Sequence, residues 1–418
     1  MQIPKTTHTE TFDATLLTPM ARDVVRFKLT VPVVGEQARM LLPLYADLLS
    51  RGTRTKSRQE FAGALDALGT RLTAVADRTG LTLSGAVPVE TLEGLLTLVR
   101  EMLTEPAFAP AQVRQVHRHY AQQLHEEADD ARATSYGAYT RVLYPNGHPY
   151  RAATREARRA FLDTLTRADY RALHRTIADT RAIVSVSGTP AAREAVLGLV
   201  GALAGTNTPQ TDPQGAAALA PYTHYETVPG RSNVDLHIGH ALPLTLTDPA
   251  YPALTFGLAV LGKWGGFSGR LMSTVREREG LTYTIYARTE GTTATHAGMW
   301  YIYTFFTPND LARGLASTRR EIEHIVSKGV TLSEVTRFKE LLRNQFVLAH
   351  ESDAKTLALY HTAACVGLWA ADLHAQQEAL EQVTRPMINA ALAKYLNPTA
   401  LVISGAGPVT RTGDTLRT

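Results

Sequence analysis

The sequence predicts an α+β protein of two tandem homologous domains, each a mixed, largely antiparallel sheet covered by helices. Three observations predict it. The chain repeats itself at an offset of roughly 220 residues, a length that fits domain duplication and not a solenoid. Short alternating runs mark strands, and longer runs of helical period mark amphipathic helices. The two kinds of element follow one another without regular βαβ alternation, which argues for a mixed sheet with helical cover.

Each element has its own signal. In V-V-R-F-K-L-T-V from Val24, apolar Val25, Phe27, Leu29 and Val31 alternate with Arg26, Lys28 and Thr30, the pattern of a half-buried strand. S-R-Q-E-F at Ser57 is a capping box that opens a helix with Phe61, Leu65 and Leu68 on its apolar face and Gly69 as its stop. Leu92, Leu95, Leu96, Val99, Met102 and Leu103 recur at helical spacing and give a second amphipathic helix. M-W-Y-I-Y-T-F-F from Met299 reads as a strand with bulky groups on both faces.

The repeat is visible in particular stretches. V-P-V-E-T-L-E-G-L-L-T-L-V-R-E from Val87 matches T-P-N-D-L-A-R-G-L-A-S-T-R-R-E from Thr307, each a strand end, a proline turn and a helix. Q-L-H-E-E-A-D-D at Gln123 mirrors V-L-A-H-E-S-D at Val347, and the halves close on the similar strands R-A-I-V-S-V-S-G-T-P and T-A-L-V-I-S-G-A-G-P. Between them, residues 205–221 are rich in Gly, Pro, Asn and Thr, a linker composition. The expected boundaries are therefore 1–204 for the first domain, 205–221 for the linker and 222–418 for the second.

Composition narrows the functional classes. With 44% apolar and 20% charged residues in 418, the chain can bury a core in each of two domains. No apolar run reaches the ~18 residues of a spanning helix, so no membrane partner is expected. The N-terminus carries no basic segment followed by an apolar stretch, and the single cysteine, Cys365, leaves no intrachain disulfide. Both point to the cytoplasm. A net charge of +4 is small for this length, and the Arg-rich stretch Arg151–Phe161 reads as a solvated helix face, so no nucleic acid is expected either.

Several chemical motifs fail on inspection. G-L-A-V-L-G-K-W from Gly257 imitates a phosphate loop, but its middle is an apolar helix end and Trp264 stands where Ser or Thr should hold magnesium. His237 and His240 lie on an alternating strand, which sends their imidazoles to opposite faces. His117, His119 and His125 share a helix without any two being one turn apart, so they read as solvated or capping residues. No G-x-S-x-G elbow is present.

The order of features resembles the pitrilysin and insulinase family of zinc peptidases, which includes the mitochondrial processing peptidase. The resemblance covers nearly the whole chain. It rests on the opening helix with its R-G-T-R-T ending, S-R-Q-E-F, E-P-A-F-A-P-A-Q-V, N-G-H-P-Y, L-T-R-A-D-Y, D-P-A-Y-P-A-L, and above all G-G-F-S-G-R-L-M-S-T-V-R-E-R-E-G-L-T-Y-T-I-Y-A from Gly265. Active members of that family carry H-x-x-E-H in the opening helix, where residues one turn apart share a face and can hold zinc. Aligned on the glycine of R-G-T, Pro43 stands at the first His, Ala46 at the Glu base and Asp47 at the second His, while Gln123 stands at the third ligand. No H-x-x-E-H occurs anywhere in the chain.

The resemblance therefore implies a non-catalytic member that holds no cofactor of its own. In such families a metal-free subunit can bring an Arg and a Tyr, seven residues apart, to a partner that carries the zinc. Arg276 and Tyr283 have that spacing. Gly262, Gly265, Gly266, Phe267 and Gly269 match the family's substrate-facing glycine loop, with Lys263 and Trp264 departing from its glycine run. The expected partners are a homologous H-x-x-E-H subunit and peptide substrates. The alternative expectation is a homodimeric peptide-binding or scaffold protein with no proteolytic activity.

Overall fold

The computed structural model describes residues 3–20, 23–209, 221–262 and 269–410. They form two compact units, each built on one mixed sheet. The first sheet contains β1 (Lys5–His8), β2 (Phe12–Leu17), β3 (Val24–Pro32), β4 (Arg71–Ala76), β5 (Gly80–Pro88) and β6 (Ala182–Ser187), in the order β1-β2-β6-β3-β5-β4. The second contains β7 (Tyr222–Thr227), β8 (Val234–Ala241), β9 (Ile285–Glu290), β10 (Met299–Phe306) and β11 (Val402–Gly407), in the order β7-β11-β8-β10-β9.

Set aside the edge strand β1 and the two sheets have the same plan. In each, a parallel pair (β2 with β6, β7 with β11) is followed by three antiparallel neighbours. The sequence repeat is thus a repeat of topology, and the α+β class follows from it.

The units are not contiguous in sequence. The described residues of Met1–Gln122, Glu156–Asp212 and Phe346–His374 make the first, and those of Gln123–Arg155, Pro213–Gln345 and Ala375–Thr418 make the second. These differ from the contiguous domains expected from the sequence because each half lends one helix to the other half's sheet. Helix Ala131–Leu143 packs on β8 and β11, and helix Asp353–Cys365 packs on β3 and β6. Of the expected linker, residues 210–220 lie outside the described residues.

The exchanged helices also change the burial of the strands. Val25, Phe27, Leu29 and Val31 are buried as the alternation requires, yet Thr30 on the opposite face is fully buried too. His361 of the exchanged helix explains it: its Nε2 lies 2.8 Å from Thr30 Oγ1 and its Nδ1 3.0 Å from Ser185 Oγ. In the second unit Ser135 Oγ lies 2.8 Å from His237 Nδ1, and the Tyr139 hydroxyl donates to the Trp300 carbonyl at 2.8 Å. Gly239 is required there, since a Cβ would fall 2.8 Å from that hydroxyl and 2.1 Å from that carbonyl. The bulky residues on both faces of β10 are explained in the same way. Trp300, Ile302 and Phe306 face the main core with helix Tyr251–Gly262, while Tyr301 and Tyr303 pack under the exchanged helix.

Candidate functional site

The helix that would carry zinc is present, spanning Glu36–Leu49, and buries Leu41, Leu42, Leu44, Tyr45, Ala46, Leu48 and Leu49. Pro43 lies inside it on the exposed side, where it can neither ligate a metal nor donate to the preceding turn. Ala46 is buried and offers no polar atom. Asp47 has both carboxylate oxygens engaged by Arg51, from Nε at 2.9 Å and Nη2 at 3.0 Å, and Arg51 Nη1 goes on to Gln112 at 3.2 Å. Gln123 is exposed and carries a neutral amide. A zinc site needs converging, deprotonated nitrogen, sulfur or oxygen donors, and among the described residues no three His, Cys, Asp or Glu side chains are grouped to provide them. The donor set does not fit zinc.

The loop that follows this helix is fixed by a single carboxylate. Glu101 accepts from Lys56 Nζ at 2.6 Å and from the hydroxyls of Thr53 and Thr55. Burial works to raise its pKa, but the bonds from Lys56, Thr53 and Thr55 outweigh that and hold the carboxyl down to about 2. Gly52, at φ 108°, lets Lys56 O come within 2.7 Å of where a Cβ would stand, so the R-G-T-R-T ending is a structural turn. Glu101→Gln is expected to cost about 2 kcal/mol, the scale of hydrogen bonds to a charged group. Urea denaturation at neutral pH measures it, and a midpoint equal to wild type would show that the turn stands without the carboxylate.

In the second unit, Met272–Arg278 is a π-helix, a wide-turn element that occurs often at functional sites. Its end is drawn out, with Glu279 N bonded to Thr274 O at 3.0 Å and Leu281 N to Val275 O at 3.0 Å. Gly280, at φ 63°, closes it. Val275 and Leu281 are buried and anchor it to the core, while Glu279 is paired with Arg320. Tyr283 therefore sits in the segment leading to β9, with 69% of its surface exposed. The Arg276 guanidinium carbon lies 4.7 Å from the centre of its ring, a cation–π contact. The two residues predicted from their spacing are brought together, and a planar set of N–H donors stands beside a phenol at an exposed helix end.

The glycines divide. Gly262 ends helix Tyr251–Gly262, and Gly269, at φ 138°, brings the chain back against it: a Cβ on Gly269 would fall 2.9 Å from Gly262 Cα. These two close the base of the glycine loop. Gly265, Gly266 and Phe267 lie outside the described residues. Gly269→Ala is expected to cost about 2 kcal/mol or more, because strain and crowding coincide there. Gly280→Ala, strained but with open space around it, is expected to cost about half as much. Equal losses in thermal melts would remove crowding from the explanation.

The rejected motifs lie where their chemistry put them. Gly257 and Gly262 are both helical, which excludes a phosphate cradle. His237 packs among Tyr136, Tyr139, Tyr301 and Tyr303, and His240 on the other face of β8 stands edge-on to Trp300. His117 differs from a solvated histidine: its Nε2 is 2.6 Å from the Tyr170 hydroxyl, and burial lowers its pKa. The sequence reading missed the Asp47–Arg51 pair, although its i,i+4 spacing was a usable signal. It also missed Glu101, whose partners are some 45 residues away and leave no local pattern.

The fold and site together define a zinc-peptidase architecture whose metal positions have been replaced. Residues 165–342 match the family described as "Peptidase M16 inactive domain". The chain is 25% identical over 316 residues to an uncharacterised zinc protease of Streptomyces coelicolor, covering 73% of this chain and 67% of that one. It is 22% identical over 354 residues to the non-peptidase homologue YmxG of Helicobacter pylori, covering 82% and 78%. A peptidase M16 inactive domain from Pseudomonas fluorescens superposes with a TM-score of 0.85 at 20% identity, over 97% of this chain and 98% of that one. Residues 165–342 are thus similar to the inactive domain of the M16, or pitrilysin, peptidases, and the chain as a whole shares the fold of such a protein. No helix among its described residues is long and apolar enough to cross a membrane.

Proposed function

We propose that this chain is the metal-free subunit of a two-subunit, zinc-dependent endopeptidase of the cytoplasm. The partner, a homologous H-x-x-E-H subunit, supplies the metal. This chain supplies Arg276 and Tyr283 to hydrogen-bond the peptide carbonyl, and the loop bounded by Gly262 and Gly269, with Gly265, Gly266 and Phe267, lies along the substrate. The observation that carries this reading is the Arg276–Tyr283 contact, 4.7 Å from guanidinium to ring, kept on an exposed helix end in a chain whose own metal positions are Pro43, Ala46, Asp47 and Gln123. The Arg276–Tyr283 spacing, kept at an exposed helix end, favours this reading mildly over a homodimeric scaffold.

The test is to measure bound zinc and peptide cleavage for this chain, for a zinc-bearing family member from the same cell, and for their mixture. Cleavage by the mixture well above either component is expected, with zinc recovered on the partner. Cleavage by this chain alone, or a mixture no more active than the partner, would overturn the proposal.

A further inference from the structure

The first unit also contains a cavity that the peptidase reading leaves unused. It has a volume of about 340 Å³ and is walled by Phe27, Leu29 and Val31 of β3 and by helices Leu92–Thr104, Arg167–Ala178 and Pro190–Leu203. We propose that it binds a small neutral acyl compound, an aliphatic chain whose terminal carbonyl oxygen accepts a hydrogen bond from His174.

Three features of the cavity select that chemistry. The cavity opens to solvent, with Thr104 and Ala202 of its lining exposed, and its volume of about 340 Å³ is that of a small-ligand cleft, with room for about ten carbons. No lysine, arginine or carboxylate lines it, which disfavours nucleotides, peptides and sugars. Only two lining side chains are polar, and the Thr104 hydroxyl is already committed to the Arg100 carbonyl at 2.9 Å. That leaves His174.

The state of His174 follows from its neighbour. Its Nδ1 lies 2.8 Å from the hydroxyl of Tyr45, a fully buried residue with no other hydrogen-bond partner among the described residues. If Nδ1 carried the proton, the buried phenol proton would have no acceptor. The phenol therefore donates to Nδ1, and the imidazole proton is on Nε2. Burial and Arg175 lower the His174 pKa, which keeps the ring neutral with Nε2–H as a hydrogen-bond donor. Phe108 fixes the ring from the side, edge-on with centroids 6.0 Å apart. It does so at φ 43°, a strained backbone for a bulky residue and one that clusters at ligand sites.

The test is calorimetric titration of the whole chain with decanoate, methyl decanoate and n-butylbenzene, the last having the bulk without the acceptor. Saturable 1:1 binding of methyl decanoate, with a rise in Tm, is expected, and weaker binding of decanoate, whose charge finds no cation in the lining. His174→Asn keeps an acceptor for Tyr45 and deletes the Nε2–H, and should weaken the acyl compounds about tenfold while leaving butylbenzene unchanged. Val200→Phe fills the cavity and should abolish binding with Tm at or above wild type. Val196→Leu, at a buried position of the same wall, serves if that variant does not fold. No saturable binding by methyl decanoate, full binding to the filled variant, or equal weakening of all three ligands by His174→Asn would overturn the proposal. None of these measurements involves peptide cleavage, so the site stands or falls apart from the peptidase reading.

Discussion

Arg276→Ala, assayed in the mixture with the zinc-bearing partner, is expected to lower kcat about 10²-fold with KM changed only slightly. That is the effect of removing one preorganised donor from a developing oxyanion, and a loss confined to kcat marks an interaction made in the transition state. Tyr283→Phe should give a loss of the same order, since it deletes only the hydroxyl and keeps the ring under the guanidinium. Arg276→Lys should rescue poorly because an ammonium lacks the planar fork. Tyr283 is 69% exposed, so neither substitution should move Tm by more than an exposed cation–π contact of about 0.5–1 kcal/mol allows. A full kcat in both variants would reduce the pair to that surface contact.

What could be read from the sequence was what is locally encoded. Alternation located β3, the capping box at Ser57 formed with both of its hydrogen bonds, and the repeat anticipated two sheets of one plan. The exchange of helices was not legible. His361 meets Thr30 across 331 positions and His237 meets Ser135 across 102, and no periodicity within a helix records which sheet will cover it. The same limit applies to the site. That Pro43, Ala46 and Asp47 stand where the resemblance expects metal residues could be read from the sequence, and so could the i,i+4 pairing of Asp47 with Arg51, but Glu101 meets Lys56, Thr53 and Thr55 across 45 to 48 positions and left no such mark. Arg276 and Tyr283 were found through the family resemblance, by their spacing of seven, which by itself does not say that the side chains meet. The chain widens into a π-helix over Met272–Arg278 and leaves it at Gly280, and the two side chains meet across that turn.

The exchanged helices also give the protein an acid-sensitive seam. Lowering the pH from 7 to 4.5 is expected to cost several kcal/mol of stability. Burial, reinforced by Lys28 and only partly offset by Asp77, pushes His361 down to about 4. Burial, with Arg132 and Arg288, pushes His237 down to about 3. In the unfolded chain both titrate near 6.5. Between about 6.5 and 4 the unfolded state therefore binds protons that the folded state refuses, and stability must fall as pH falls. For His361 alone the full difference corresponds to about 3 kcal/mol, a large share of a typical domain's net stability of ~5–15 kcal/mol. Carboxylates such as Glu101, about 2 in the folded protein against about 4.3 in the unfolded chain, add to the loss only as the pH falls below about 5, so the histidines dominate the upper part of the window. Gln cannot take up the proton and can still bond Ser185, Thr30 or Ser135. Urea denaturation of His361→Gln/His237→Gln at pH 7, 6, 5 and 4.5 should give a clearly shallower dependence than wild type, the remaining slope coming from His117, His174 and His240, whose pKa values burial also lowers. The same slope in both proteins would mean that the two imidazoles under the exchanged helices are not what acid attacks.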